Sequence, residues 1–148
     1  MTKLLSAAAI GLFVGAMLAE GCVLVPYWRS LAPGDFFAWY AANDRRLLGF
    51  FGSLTAAAAL LALAAAAVAV WTRSPGRWPS LVAAGLMVVA VLMFPAYFQQ
   101  ANARFAAAIT PPADLPAELA RWATWHWVRT AIAGGALVAA LLALRRGG

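Results

Sequence analysis

The stretch RWATWHWVRTAIAGGALVAALLAL, residues 121–144, decides what kind of fold this chain adopts. Its second part, from Ala131 to Leu144, has no polar side chain, whereas its first part has three tryptophans, two arginines and the only histidine of the chain. Aromatic and basic residues are favoured at the surface of a lipid bilayer, and apolar residues are favoured in its interior. The pattern is therefore typical of a helix that enters a membrane at its amino-terminal end.

The composition of the whole chain agrees with that interpretation. Of its 148 residues, 65% are hydrophobic and 11% are charged, and the mean hydropathy is +0.82. Soluble domains are about half apolar and about a quarter charged. The composition therefore excludes a soluble protein and predicts a single integral membrane domain, residues 1–148. The net charge of +6 does not indicate nucleic-acid binding, because the basic residues flank apolar segments and form no common basic face.

Four apolar segments have close to the ~20 residues that a helix needs to cross the hydrocarbon layer. They cover about residues 4–27, 47–71, 81–98 and 125–144. The link RSPGRWPS between the second and third is short, so those two helices are expected to be antiparallel neighbours. We predict an all-α integral membrane protein, a four-transmembrane-helix up-down bundle. Asp114 and Pro116 are suited to the start of the last helix, which we expect to begin before the bilayer.

The distribution of basic residues bears on orientation. Of the 11 lysines and arginines, five lie at the end of the predicted bundle that holds the chain termini, and six lie at the other end. The positive-inside rule counts lysine and arginine, and these counts are nearly balanced. The end with the lysine and the short link favours both termini in the cytoplasm, with the chain in a bacterial inner membrane.

An up-down bundle brings most of the polar residues in or beside the apolar segments to one end. Glu20 is the most informative of them, because it lies about five residues, or ~8 Å, inside the first segment. An ionised group in the membrane costs at least ~2.5–3.5 kcal/mol unless a partner or water compensates it. Glu20 could form an ion pair with Arg129 or Arg45 that fixes helix packing. It could equally donate or accept a proton, or bind a metal ion.

The last helix presents a second group of polar and aromatic side chains. His126 and Arg129 are three residues apart and share a helix face with Trp122, while Trp125 lies four residues before Arg129. One interpretation is that the tryptophans anchor the helix at the membrane surface, that Arg129 extends to that surface and that His126 only forms hydrogen bonds. The other is a binding pocket. Histidine exchanges protons near neutral pH, arginine binds oxyanions, phenolates and carboxylates, and aromatic walls accept a flat apolar ligand.

The pocket hypothesis combines these groups at one membrane face. Its catalytic residues are His126, Arg129 and Glu20, and its substrate-binding residues are Trp122, Asn102, Trp125 and Arg45. Such a pocket would open at the membrane surface, where a lipophilic small molecule arrives from the bilayer.

Three stretches of the sequence are similar to a known family. They are Glu20 followed by Val25-Pro26, the segment FAWYAANDRRLLGF at residues 37–50, and Pro95 with ANARF at residues 101–105 followed by RWATWHWVRT. With these motifs the chain resembles the four-span membrane group called domain of unknown function 1772, whose named members are the fungal anthrone oxygenases. The resemblance covers nearly the whole chain. It maps the family's Pro and Asn at the end of the third span, and its Trp, His and Arg at the start of the fourth, onto Pro95, Asn102, Trp122, His126 and Arg129.

This resemblance implies a four-helix membrane bundle and suggests oxygenase chemistry. Anthrone oxygenases add dioxygen to an activated polycyclic phenol and form a quinone without a cofactor. By that analogy His126 would be the base and Arg129 would stabilise the anion. The leading hypothesis is therefore a small membrane oxidoreductase, a cofactor-independent oxygenase of a lipophilic aromatic or quinone-like molecule.

Two other classes of function remain open from the sequence. The first is a non-enzymatic subunit or binding module that packs against a larger membrane complex, and a homo-oligomer is a further possible assembly. The second is a haem or copper protein that uses His126, with Cys22 and the four methionines as other soft ligands. One histidine supplies few of the ligands that copper or zinc needs, although one proximal histidine can hold haem. We expect no metal site, and we expect Cys22 to be a small buried residue.

Overall fold

The computed structural model describes residues 1–146, and every regular element within them is helical. Four helices are each long and apolar enough to cross a membrane. They are α1 (Thr2–Ser30), α2 (Pro33–Trp71), α3 (Arg77–Ala106) and α4 (Leu115–Arg145). The predicted all-α, four-helix membrane architecture is confirmed.

The helices form an up-and-down bundle, since each packs against the next and α4 packs back against α1. Each predicted apolar segment lies inside one of the four helices, and every helix extends beyond its segment. The start of α4 at Leu115, with Asp114 at the N-cap position and Pro116 in the first turn, agrees with a helix that begins before its apolar segment. Both ends of the described chain lie at the same end of the bundle, as four antiparallel helices require.

The largest difference from the predicted segments is in α2, which begins at Pro33 rather than near Leu47. Ala32 is extended, and Pro33 occupies the first turn, where its missing N–H costs nothing. The extra turns are stabilised by packing, because Phe36 and Tyr40 are almost completely buried against the other helices. The aromatic segment before the second span is therefore part of the same helix.

The core has different chemistry at the two ends of the bundle. Near the chain termini it is rich in alanine, with Ala62 of α2 and Ala136 of α4 among its buried members. Small residues allow helix backbones to approach closely. At the other end the core is aromatic, with Trp28, Phe98 and Trp122 buried between the helices. We call the second region the aromatic end. Bulky rings hold helices farther apart than alanines do, and a cavity lies beside this region.

Two helices carry a π-helical turn next to the aromatic end. The turn in α1 covers Glu20–Leu24, and the turn in α3 covers Phe94–Phe98. Each has a proline beside or within it, Pro26 in α1 and Pro95 in α3. Proline lacks the N–H of an α-helical bond and its ring clashes with the carbonyl one turn earlier, so the helix adapts by widening one turn. Such widened turns shift the direction of the side chains that follow.

Candidate functional site

An acidic residue of α1 meets a histidine and an arginine of α4 at the aromatic end. His126 Nδ1 lies 3.4 Å from Glu20 Oε2, and Arg129 Nη2 lies 3.8 Å from the same oxygen. All three residues are buried, with exposed fractions of 5% for Glu20, 0% for His126 and 7% for Arg129. The partners of Glu20 are therefore on α4, and Arg45 is not among them.

The imidazole of His126 is held in one orientation by its neighbours. Its Nε2 donates a hydrogen bond of 2.9 Å to the backbone carbonyl of Met17 in α1. Because a carbonyl oxygen only accepts, Nε2 carries a hydrogen and Nδ1 is the atom that faces Glu20. The ring of Trp122 stacks on the imidazole at 5.2 Å with an interplanar angle of 10°, and Trp127 contacts it edge-on at 5.8 Å.

Gly21 makes this contact between α1 and α4 possible. A Cβ atom at that position would lie 3.0 Å from His126 Nε2 and 2.9 Å from Cζ2 of Trp127, which is too close for atoms in a folded protein. Gly21 was not among the residues predicted from sequence. The sequence did offer a signal, because Gly21 lies in the middle of an apolar helix and directly follows Glu20, the one acid of that helix. A glycine inside a helix often marks the close approach of a neighbouring element.

Arg129 completes the cluster on the side of α3. Its guanidinium carbon lies 4.2 Å from the centre of the Phe98 ring, a cation–π contact that compensates part of the cost of burying the charge. Three buried polar atoms of the cluster have no hydrogen-bond partner: Glu20 Oε2, His126 Nδ1 and Arg129 Nε. Buried polar atoms are paired in most proteins. The cluster therefore has hydrogen-bonding capacity that its own contacts do not use.

Asn102 of α3 connects to the cluster through Trp122 of α4. The indole Nε1 of Trp122 donates a hydrogen bond of 2.9 Å to Asn102 Oδ1. The same ring contacts Trp28 and Phe98 edge-on, at 5.3 and 5.4 Å between ring centres. These contacts fix the indole, which in turn fixes the stacked imidazole of His126.

A cavity of about 450 Å³ lies in front of the cluster. Its walls are mostly apolar and come mainly from α2 and α3, while α1 and α4 form its inner end. Four of the predicted site residues line it: Glu20, Asn102, Trp122 and Arg129. His126 does not line it. The expectation that His126 contacts the ligand is therefore wrong for this cavity, because the histidine lies behind Glu20 and Trp122 with none of its surface exposed.

Besides Thr55 of α2 and Gln99 of α3, two polar residues near the aromatic end of α2 line the cavity without having been predicted from sequence, Tyr40 and Asp44. They are one helical turn apart and lie on the same face as the apolar lining residues Leu47 and Phe51. That spacing was the signal by which the sequence could have indicated them. Asp44 and Arg45 are adjacent in the sequence, and only the orientation of α2 about its axis shows which of the two faces inward.

Arg45 and Trp125 were predicted to bind the substrate, and the structure places both outside the cavity. Arg45 is exposed, because one step along a helix turns a side chain by about 100° away from its neighbour Asp44. Trp125 is 40% exposed and stacks on Tyr97 at 5.1 Å, as suits an aromatic residue near a membrane surface. Both residues are therefore removed from the candidate site.

The cluster does not fit a haem or copper site. Within residues 1–146, no three His, Cys, Asp or Glu side chains are grouped so that they could hold a metal ion. The imidazole of His126 is bonded through Nε2 and covered by Trp122 and Trp127. A haem iron has no open approach to it from the cavity. Cys22, which we expected to be buried, is exposed on the surface of α1.

Comparison of the chain with protein-family models, with curated proteins and with solved structures gives no match. The resemblance to the four-span family stays a prediction that rests on its motifs.

Proposed function

We propose that this protein is a small membrane oxidoreductase that binds a lipophilic phenol or quinone-like molecule in the cavity and takes a proton from it. One observation supports the proposal above all others. Glu20 and Arg129, an acid and a base that are both buried, line the inner end of a mostly apolar cavity.

The size and lining of the cavity favour a small apolar ligand. Small-molecule sites commonly have about 300–1,000 Å³, with mostly apolar walls and a few polar groups that set the orientation. The cavity has about 450 Å³, and the rings of Phe51, Phe94 and Phe98 contribute to its walls. A ring system would pack against these side chains and place its oxygen atoms at Glu20 and Arg129.

The proposed base is Glu20, which lines the cavity, rather than His126, which does not. Glu20 Oε2 lies 3.4 Å from His126 Nδ1 without a hydrogen bond between them, and Nε2 of the imidazole keeps its own hydrogen on the Met17 carbonyl. His126 is then a positioning residue that packs beside the carboxylate. Arg129 would stabilise the phenolate that forms.

The proposed reaction needs dioxygen and no further reductant. Removal of the proton makes an electron-rich anion, which dioxygen oxidises. One oxygen atom becomes the new carbonyl of the quinone and the other leaves as water. Anthrone and dioxygen would thus give anthraquinone and one water.

The test is a turnover assay in lipid nanodiscs with anthrone as the probe, measured as oxygen uptake and quinone absorbance above the uncatalysed rate. We expect Glu20→Gln to lower the rate at least ~100-fold, the usual contribution of general base catalysis. Cys22→Ser is the matched control, because Cys22 lies in the same π-helical turn but is exposed. An unchanged rate in Glu20→Gln, or a wild-type rate equal to the uncatalysed one, would refute the proposal.

The alternative is a binding module or subunit that performs no chemistry. Extraction in a mild detergent followed by size-exclusion chromatography distinguishes the enzyme from the non-enzymatic subunit. A stoichiometric partner protein together with no turnover favours the subunit, whereas a monomer or homo-oligomer with turnover favours the enzyme. The bacterial inner membrane and cytoplasmic termini are also retained as proposals. In that orientation the cavity would lie at the opposite face of the membrane from the termini.

A further inference from the structure

The cavity has an opening between α2 and α3. The two helices contact each other at both ends of this opening. At the aromatic end, the rings of Phe36 and Tyr40 in α2 lie 5.3 and 5.6 Å from the ring of Phe105 in α3. At the other end, both helices contribute to the alanine-rich core, for example through Ala62 and Ala83. Between these contacts the helices are separated by the cavity. We call this gap the α2–α3 window.

Residues on the rim of the window both line the cavity and are exposed on the outside of the bundle. On α2 they are Leu48, Gly52 and Ala56, and on α3 they are Pro95, Gln99 and Ala103. Each set repeats every four residues, so each forms a stripe along one edge of its helix. The buried lining residues, such as Phe98, lie on the inner side. The window therefore opens sideways, between the helices.

The surroundings of the window are those of a lipid-facing surface. Leu48 on its rim is 54% exposed, and Leu60 and Leu92, farther along the two helices, are also exposed. From Leu48 to Ala56 the rim extends for ~12 Å along α2, within the predicted second apolar segment, whereas on α3 Gln99 and Ala103 lie just beyond the end of the predicted third segment. Membrane-spanning helices thus place the window at the outer edge of the acyl chains, next to the head groups.

The inner end of the cavity indicates the head group of the ligand. Glu20 and Arg129 both line the cavity; a carboxylate accepts hydrogen bonds, and a guanidinium donates them. A hydroxyl group has the chemistry to donate to the first and accept from the second. The cavity has two acids, Glu20 and Asp44, and one base, Arg129, in its lining. A carboxylate or phosphate ligand would be repelled by the two acids, so a neutral hydroxyl is favoured.

We infer, building on the proposed function, that the ligand enters from the lipid through the α2–α3 window and carries a long apolar tail. Its hydroxyl-bearing ring contacts Glu20 and Arg129, and its tail lies in the window. A tail-bearing hydroquinone has such a ring and such a tail, and it serves as a binding probe for the site rather than as a substrate of the proposed reaction. The bilayer, rather than the aqueous phase, is the source of the ligand.

The test compares two glycine variants of α2. Gly52 is on the rim of the window, and a side chain there meets only the tip of Leu48 at 3.9 Å. Gly49 is also exposed but does not line the cavity, and it has open space around it. Gly52→Trp fills the window and Gly49→Trp is the matched control. Binding of decyl hydroquinone and of unsubstituted hydroquinone is measured in lipid nanodiscs by titration, corrected for partitioning into the lipid.

We expect wild type and Gly49→Trp to bind decyl hydroquinone with affinities within twofold of each other, and Gly52→Trp to bind it at least tenfold more weakly. Equal binding by Gly52→Trp would overturn the inference, as would no binding to wild type or equal affinity for the two hydroquinones. These outcomes concern only the route of entry. The proposed function is tested separately, by the anthrone assay with Glu20→Gln. Loss of turnover in Glu20→Gln with an unaffected Gly52→Trp would retain the enzyme and reject only the lateral entry.

Discussion

Replacing Gly21 by alanine tests the contact on which the site geometry depends. The added Cβ would lie 2.9 Å from Trp127 and 3.0 Å from His126 Nε2. Either α4 moves away from α1, or the imidazole rotates and weakens its 2.9 Å bond to the Met17 carbonyl. Gly15→Ala is the control, because Gly15 lies in the same helix and a Cβ there has no atom within 4 Å.

The expected magnitude follows from the difference between the two variants. Alanine is favoured over glycine inside a helix by ~1 kcal/mol, and this gain is common to both substitutions, so it cancels. What remains is the cost of an extra carbon in a packed contact, about 1–3 kcal/mol. The weakened hydrogen bond would add about 0.5–1.5 kcal/mol if it is lost completely. Gly21→Ala should therefore be less stable than Gly15→Ala by about 1–4.5 kcal/mol.

The assay is reversible unfolding of both variants in mixed micelles by titration with sodium dodecyl sulfate, followed by circular dichroism. Ligand binding to each folded variant is measured in parallel, since displacement of His126 would also disturb Glu20. Equal free energies of unfolding for the two variants would refute the reasoning, because they would show that α1 and α4 do not approach closely at Gly21.

Three other substitutions test separate parts of the structure. Trp122→Phe removes the bond to Asn102 and should lower the free energy of unfolding by about 0.5–1.5 kcal/mol; a loss within experimental error would show that the bond contributes nothing. Gly76→Ala places a Cβ 2.5 Å from a backbone carbonyl of α4 and should cost at least about 1–3 kcal/mol by the same unfolding assay. Arg129→Leu leaves the carboxylate of Glu20 without a cation and should cost about 3–5 kcal/mol. Adding Glu20→Gln to that variant should restore part of the loss, and strictly additive effects would argue against the ion pair.

Some of the site could be predicted from position along the chain alone. Glu20, Asn102, Trp122 and Arg129 were predicted because each is polar or aromatic near the end of an apolar segment, and all four line the cavity. Antiparallel helices bring those ends together whatever the details of packing. The depth of a side chain in the membrane can thus be predicted from sequence, because it follows from the position of the residue within its apolar segment.

The side of each helix that faces the core could not be predicted in the same way. In a soluble helix the apolar stripe marks the buried side, but in a membrane both the lipid side and the core side are apolar. Nothing in the hydropathy distinguished Arg45, which points outward, from Asp44, which lines the cavity. The π-helical turns at Glu20–Leu24 and Phe94–Phe98 add to the difficulty, because each changes the direction of the residues after it.

From the sequence alone it follows that this chain is a four-helix membrane protein with Glu20, His126 and Arg129 at one end of the bundle. Composition and the spacing of apolar segments are sufficient for that, because burial in lipid depends on them directly. That Glu20 reaches the cavity while His126 lies behind it, and that Gly21 permits the approach of α4 to α1, is visible only in the folded bundle. Those features depend on the rotation and close approach of helices by a few ångströms, which apolar surfaces on every side leave unspecified.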